Sequence, residues 1–505
     1  MNLSQEKIPT LKLVLITLAV MSATIIEILD LTIVNVSLAP MMGSLGANSD
    51  QITWVMTSYI VSAAIVMPLT GFLVSRFGQR DLLLLSISGF LIASVLCGLA
   101  TSLSEIVFFR TLQGICGASL VPLSQAILTT TFPKEKVGLA MAIWAVGIMA
   151  GPVLGPTLGG YITYNLDWRW IFFVNVPVCI FSFVMTFYFI EQTPVEKRHI
   201  DWWGLFLMIT GIGALQIFLD RGSVDDWFQS STIILLFFTG VFSLGLLIYR
   251  CLKIENPILN LRLFLDRNLA LCSFIVAFIF ANAFAVLALQ PILLENYFSY
   301  PSETVGLILA PRGIASAILM MTIHPLIKFI NGRWLMMIGI SFSAIANISM
   351  AHFNLATAPV DWIYMGILQG LGMGFLMVPI MTFAYKTIPD KLVAEASGLF
   401  NLCRSLGSSI GISILITLVT RENQINWNHL SGFINAYNPH LQAYVHKLGM
   451  SLSDPRALPI IAQQISAQVG MISYNDAFYV VGISVLILLI FVPFLDRIKS
   501  VIKVN

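Results

Sequence analysis

Apolar runs long enough to cross a hydrocarbon core of about 30 Å recur along almost the whole chain. They lie near 12–38, 51–74, 81–100, 104–129, 138–162 and 170–190, then near 202–220 and 232–250, and then near 268–290, 303–327, 333–352, 361–385, 394–419 and 474–496. This feature leaves few folds open. In lipid every backbone N–H and C=O must find its partner inside the segment, so spans of this length have to be helices. Of the 505 residues 57% are hydrophobic and 10% charged, which excludes an ordinary soluble domain. The formal charge of +2 gives no support to nucleic-acid binding. The expectation is an all-α polytopic membrane protein with fourteen transmembrane helices. The first run carries Glu27 and Asp30 and is far longer than a signal-peptide core, so it is expected to be retained.

Most of the 27 Lys and Arg residues fall on one side of this map, in the loops after the even-numbered spans and near both ends of the chain. Short cytoplasmic loops retain positive charge, so both termini are expected in the cytoplasm. The six cysteines, Cys97, Cys116, Cys179, Cys251, Cys272 and Cys403, lie in apolar spans or at their edges. Their spacing suggests neither a disulfide framework nor a metal site.

The chain repeats itself at an offset of 256 residues. Leu112-Gln113-Gly114 precedes Pro133 as Leu368-Gln369-Gly370 precedes Pro389, and Gly151 and Gly155 reappear as Gly407 and Gly411. Spans seven and eight are then an insertion, which divides the chain into an N-terminal six-helix half (1–195), two inserted helices with a connector (196–267, entered through Glu196-Lys197-Arg198) and a C-terminal six-helix half (268–505). Two such halves fit an alternating-access carrier whose site lies between them. The loop at 421–473 is unusually long for a compact bundle.

The membrane-embedded charges are not repeated. Arg110 falls on Gly366, and Glu27 and Asp30 fall on Ala283 and Val286. A charge near the bilayer centre costs about 2.5–3.5 kcal/mol on insertion scales, so symmetric packing does not account for these residues and function is the better reading. Counting about 1.5 Å per residue places Arg110 and Asp30 at nearly equal depth, with Glu27 about a turn further in on a similar face. Contact between Asp30 and Arg110 is expected, as a reversible proton site or as a fixed pair that pins two helices. Arg312, which follows Pro311, and Arg404, beside Gly407, are weaker candidates. Gly147, Gly151, Gly155 and Gly159 form a stripe without side chains, flanked by Pro152, Pro156 and Gly160. In a bilayer such stripes promote close helix packing.

These motifs resemble the fourteen-span drug:proton antiporters of the major facilitator superfamily, in particular their EmrB-type branch. Leu29-Asp30-Leu31-Thr32-Ile33-Val34-Asn35-Val36 is similar to the first-helix signature of that group. The segment Gly71 to Arg80 resembles the cytoplasmic gating loop, with Gly71, Arg76, Gly78 and Arg80 in place and Ser75 where the superfamily has an aspartate. Arg110-Thr111-Leu112-Gln113-Gly114 resembles the fourth-helix motif whose arginine is associated with proton coupling, and Gly147–Gly160 resembles the antiporter motif. Trp168 to Pro177 also looks like the group, and the resemblance covers essentially the whole chain. Glu27 is an additional acid.

The resemblance implies a major facilitator fold and a multidrug exporter of the bacterial inner membrane. It implies exchange of protons for amphipathic, aromatic or cationic compounds, with no enzymatic activity and no cofactor beyond the proton gradient. It assigns proton coupling to Asp30, Glu27 and Arg110. Polar or aromatic residues on the expected cavity helices, Asn35, Trp54, Gln125, Asn282, Asn401 and Arg404, are candidates for substrate contact. Loop 421–473 is similar to the outer loop that faces a periplasmic adaptor, leading to an outer-membrane channel. Lipid and small molecules are the other expected partners, and no metal site is expected. A proton-coupled importer of a metabolite or sugar and a non-transporting membrane subunit are the alternatives.

Overall fold

The computed structural model describes residues 10–133, 136–195, 199–254, 257–435, 437–447, 451, 454 and 456–495. At 10, 49, 150, 152, 153, 156, 302 and 324–329 it describes the backbone alone. Among the described residues the chain is helical with no strand. Thirteen helices are long and apolar enough to span a membrane, and Val137–Asn165 supplies the fourteenth. In chain order they are α1 (Thr10–Leu45), α2 (Asp50–Phe77), α3 (Gln79–Leu99), α4 (Leu103–Thr131), α5 (Val137–Asn165), α6 (Trp170–Phe189), α7 (Trp202–Arg221) and α8 (Ser231–Lys253). They continue as α9 (Arg267–Asn296), α10 (Ser302–Phe329), α11 (Gly332–Met350), α12 (Pro359–Tyr385), α13 (Val393–Ser431) and α14 (Ala457–Ile487). The linker residues Glu196, Lys197 and Arg198 and both chain ends lie outside the described residues, as do the side chains of Pro152 and Pro156.

Two of the spans are broken where proline demands it. In α2 the chain tightens into a 3-10 turn at Met67-Pro68-Leu69. In α4 the helix is interrupted at Ala118–Ser119. Pro122 lies four residues beyond Ala118, where its ring meets the preceding turn and its nitrogen donates no bond. At Gly78, φ is +78° and ψ 163°, a conformation open essentially to glycine, and it turns α2 into α3. A Cβ there would also run into Gln192.

Helix α1 packs on α5 through the glycine stripe. A Cβ at Gly147 would meet Met21, one at Gly151 would meet Ile28, one at Gly155 would meet Thr32, and one at Gly159 would lie 2.8 Å from the Ile33 carbonyl oxygen. The Thr32 hydroxyl donates to the Gly151 carbonyl at 3.0 Å, a bond that the missing side chains allow. Gly160 is different, because its Cβ would lie 3.8 Å from Val36. The same packing recurs in the second half, where Gly407 and Gly411 abut the backbone of Ala277 and Ala281 on α9. Ala277 and Ala281 stand 249 positions after Ile28 and Thr32, so the first spans of the two halves match in a register seven residues away from the 256 offset. This corrects the counterparts of Glu27 and Asp30 to Val276 and Ile279. Both are apolar, and the asymmetry of charge remains.

The inserted helix α7 touches both halves. Toward α2, the Thr57 hydroxyl donates to Asp220, and Arg221 Nη1 donates to Thr53 at 3.1 Å. Toward α13, Gln216 donates to Ser409 at 2.7 Å, Ser413 donates to the Leu219 carbonyl at 2.7 Å, and the indole of Trp227, just past α7, donates to Thr417 at 3.0 Å. Met208 and Ile212 extend this cover in one apolar cluster with Ala64, Leu69 and Leu402.

Asp201 starts α7 by accepting from the Gly204 amide at 2.9 Å, and it pairs with Arg250 of α8 at 2.8 Å. Burial raises its carboxyl, but the Arg250 and Gly204 donors outweigh that and hold it below its ordinary value. Its stabilising effect is therefore present above the ordinary carboxylate range and lost as pH falls through it. Asp201→Ala is expected to lower stability by about 1 kcal/mol, the usual worth of an N-cap, in a thermal melt at neutral pH. The difference from the parent protein should shrink on acidification.

The segment 421–473 is less of a loop than the sequence suggests. Helix α13 runs on to Ser431, α14 begins at Ala457, and a short helix, Pro439–Lys447, lies between them. Asn426 bonds Ser473 across the two long helices at 3.2 Å, and Val445, Ala457 and Ile461 form a small core. Polar residues here disguise helical continuation, because hydropathy reports lipid contact rather than helix length.

Candidate functional site

Asp30, in the middle of α1, is completely buried. Arg110 of α4 reaches it with Nη1 at 2.5 Å. Three residues on, and so on the same face, Gln113 donates to Asp30 Oδ1 at 3.0 Å and accepts from Arg110 Nη1 at 2.8 Å. Asn175 of α6 donates to the same Oδ1 at 2.8 Å and to Ser94 of α3 at 2.9 Å. Arg110 Nε donates to the Val55 carbonyl of α2 at 3.1 Å, and its guanidinium lies 4.2 Å from the Tyr59 ring centre. Every partner belongs to the first six helices. Neutral amides and a carbonyl supply part of the solvation that a buried ion pair requires, while Arg110 Nη2 has no hydrogen-bond partner among the described residues.

Glu27 lies about one turn away on α1 and is 4% exposed. Among the described residues its Oε2 and Nε of Arg404 have no hydrogen-bond partner within reach, and the Tyr59 hydroxyl faces the Glu27 carboxylate. Glu27 interacts electrostatically with Arg404 of α13, with Asp30 and with Tyr59. Arg404 also lies over the Phe280 ring at 5.3 Å.

Two expected substrate-contact residues instead join the halves. Asn401 donates to Gln125 Oε1 at 2.7 Å, and both side chains are buried. Ser397, a turn earlier on α13, donates to the same Gln125 oxygen at 2.8 Å and to the Pro122 carbonyl at 2.9 Å. Gly398 packs against the Met67 and Pro68 carbonyls of α2, and a Cβ on Gly71 would meet Glu395. This seam closes the basic side of the molecule, the side that carries Arg76, Arg80, Arg250, Arg262, Arg267 and Lys391.

The remaining candidates are scattered. Asn35 is exposed on the far half of α1. Trp54 is 36% exposed, with Arg221 over its ring at 5.8 Å. Asn282 donates to Phe278 O at 2.7 Å and accepts from Ser484 at 2.7 Å, so it braces the second half. Arg76 is exposed, and Arg80 lies 4.9 Å from the Phe187 ring. Arg312 donates to Gln290. Among the described residues no cluster of His, Cys, Asp or Glu could hold a metal ion, and the cysteines are unpaired. Sequence reasoning missed Gln113, Asn175 and Tyr59 as partners of the charges and Ser397 as a seam residue. The signal was there, since Gln113 and Asn175 are amides within apolar helices, but which helices meet is a matter of tertiary structure.

Residues 20–412 match the family described as the Major Facilitator Superfamily. The Multidrug export protein EmrB of Escherichia coli (strain K12) is 36% identical over 485 residues, covering 94% of this chain and 94% of that protein. The Fatty acid resistance protein FarB of Neisseria gonorrhoeae is 35% identical over 477 residues, again covering 94% of each. Among solved structures, the proton:xylose symporter XylE superposes with a TM-score of 0.64 over 97% of both chains at 13% identity, a likeness of fold alone.

Proposed function

The chain belongs to the major facilitator superfamily, within its EmrB-type multidrug exporters, and from that premise we propose that it expels amphipathic compounds in exchange for protons. The relatives named for multidrug export and fatty-acid resistance set the substrate range, with aromatic and cationic compounds included. The observation that carries proton coupling is the Asp30–Arg110 pair, a carboxylate and a guanidinium fully buried in the membrane. No cofactor and no enzymatic step is required. The basic side faces the cytoplasm of a bacterial inner membrane, with both termini there, so this structure represents the stage closed to the cytoplasm.

Purified protein in vesicles with an imposed pH gradient tests the reading. Uphill substrate movement opposite to the proton flux supports it. Co-directional movement would instead indicate an importer, and no movement a non-transporting subunit.

The far-side hairpin made by the ends of α13 and α14 is the proposed dock for a periplasmic adaptor that leads to an outer-membrane channel. It presents an apolar groove lined by Leu430, Phe433, Leu441, Ile465 and Ile472. Replacing residues 432–456 by a short turn is expected to spare vesicle transport and to lower drug resistance several-fold in a two-membrane cell. Loss of both would make the hairpin a lid, and retention of both would make it dispensable.

A further inference from the structure

Gly114 of α4 is backed by the Tyr59 carbonyl of α2, and its repeat counterpart, Gly370 of α12, is backed by the Arg312 carbonyl of α10. Arg312 therefore occupies in the second half the place that Tyr59 has in the first. There the Tyr59 ring lies against the guanidinium of Arg110. In the second half the counterpart of Arg110 is Gly366, and a Cβ on it would lie 3.8 Å from that of Arg312. The repeat has thus kept a guanidinium and moved it from the fourth span of one half to the second span of the other. It has not kept the acid, since Asp30 is matched by Ile279.

Arg312 donates to the neutral amide oxygen of Gln290 on α9, and among the described residues no acidic side chain pairs with it. Its Nε is buried and has no hydrogen-bond partner among the described residues. The side chain as a whole is only half-buried. That opening is not toward lipid. Leu307, Ile314, Ile318 and Met321 make the exposed stripe of α10, whereas Arg312 stands on the opposite stripe, where Ile308 and Ser316, one turn to either side, are 3% and 2% exposed. A charge within a span that faces the protein interior marks a path for substrate or ions, and this one lacks the carboxylate that neutralises Arg110.

The geometry points to Arg312 as the anchor for the carboxylate of a transported amphiphile, a specificity-determining residue that admits anionic compounds to the carrier. The assignment rests on the exporter reading and names one substrate class within it. A guanidinium meets a carboxylate with paired N–H donors, and the unpartnered Nε of Arg312 is one of them. The Gln290 amide nitrogen adds a further donor, since its acceptor here is the Met350 sulfur at 4.0 Å, a weak partner. Among the described residues no second charged group acts on Arg312. One cation balances one negative charge, so a monocarboxylate fits, whereas a phosphate dianion would carry uncompensated charge into an apolar interior.

Equilibrium binding to the purified protein in lipid nanodiscs tests the anchor with two fluorescent probes that share a pyrene body, pyrenebutyrate and a pyrenebutyl-trimethylammonium salt. Protein-free nanodiscs give the background. The parent should bind both. Arg312→Gln should weaken the carboxylate probe about tenfold or more, the low end of what a hydrogen bond to a charged group contributes, and leave the ammonium probe within about twofold. Arg312→Lys keeps the charge and loses the fork, so its affinity for the carboxylate should fall between. The ammonium probe and a thermal melt check that each variant is folded. Equal loss of both probes in Arg312→Gln, with Arg312→Lys no better, would make Arg312 a brace on Gln290 and overturns the inference. So does carboxylate binding that neither variant changes, and so does a parent that does not bind the carboxylate. Flux in vesicles separates the anchor from the exporter reading. A protein that drives the ammonium probe against a pH gradient but shows no Arg312-dependent carboxylate binding loses the anchor and keeps the exporter. One that binds the carboxylate through Arg312 yet moves neither probe does the reverse.

Discussion

Asp30→Asn is expected to bring proton-driven export down to the level of protein-free vesicles while the protein still assembles in the membrane. The substitution keeps the size of the side chain and one acceptor oxygen for Gln113 and Asn175, but it deletes the group that exchanges a proton and leaves Arg110 without a counter-ion. Breaking one partner of a buried pair typically costs about 3–5 kcal/mol, so a lower yield is expected too, and activity has to be normalised to folded protein. Asp30→Glu should retain part of the activity, because it keeps the charge and only crowds the pocket. The measurement is substrate flux against an imposed pH gradient, compared with passive exchange at equal pH on both sides. An Asp30→Asn protein that responds to the gradient as the parent does would remove Asp30 from the coupling step.

The second large effect is expected at the glycine stripe. Gly155→Leu should abolish transport or leave the protein leaky to protons, because its first carbon alone would collide with Thr32 and press on the Ile33 amide at 3.3 Å. Overpacking of this kind typically costs about 1–3 kcal/mol before the rest of the leucine is placed, and here the lost approach also separates Thr32 from the Gly151 carbonyl. Gly151→Leu should behave alike against Ile28. Gly160→Ala is the control within the same motif, since its added carbon has room beside Val36 and should be nearly silent. A pH-sensitive dye trapped in vesicles reads the leak. Normal transport with a tight barrier in Gly155→Leu would show that α1 and α5 need not approach so closely.

The membrane class, the span count and the glycine stripe were legible because each is a one-dimensional property of the chain, a run length or a spacing. The Asp30–Arg110 contact was legible for a related reason, since equal depth in a bilayer is a strong constraint on which charges can meet. Helix rotation is not encoded that way. Gln125 and Asn401 were expected to line a cavity and instead bond to one another across the seam, a fact that depends on the conformational stage as much as on the fold. Register between repeats was likewise off by seven residues in the first span, because the apolar residues of α1 and α9 carry little to align and only the partners of the glycines fix it.

The inserted pair of helices has a bearing on where lipid-dissolved compounds can enter. A carrier of two halves has two lateral flanks along which its cleft meets the bilayer, and in a symmetric molecule they would be equivalent. Here α7 lies along the flank between α2 and α13, bonded to Thr57 on one side and to Ser409 and Ser413 on the other. Along the other flank α5 and α10 meet directly, with the Thr157 hydroxyl 3.7 Å from where a Cβ on Gly306 would stand. A hydrophobic compound that has partitioned into the membrane therefore finds one side shuttered by its own strip of protein. Sideways diffusion into the cleft is left with the α5–α10 flank alone.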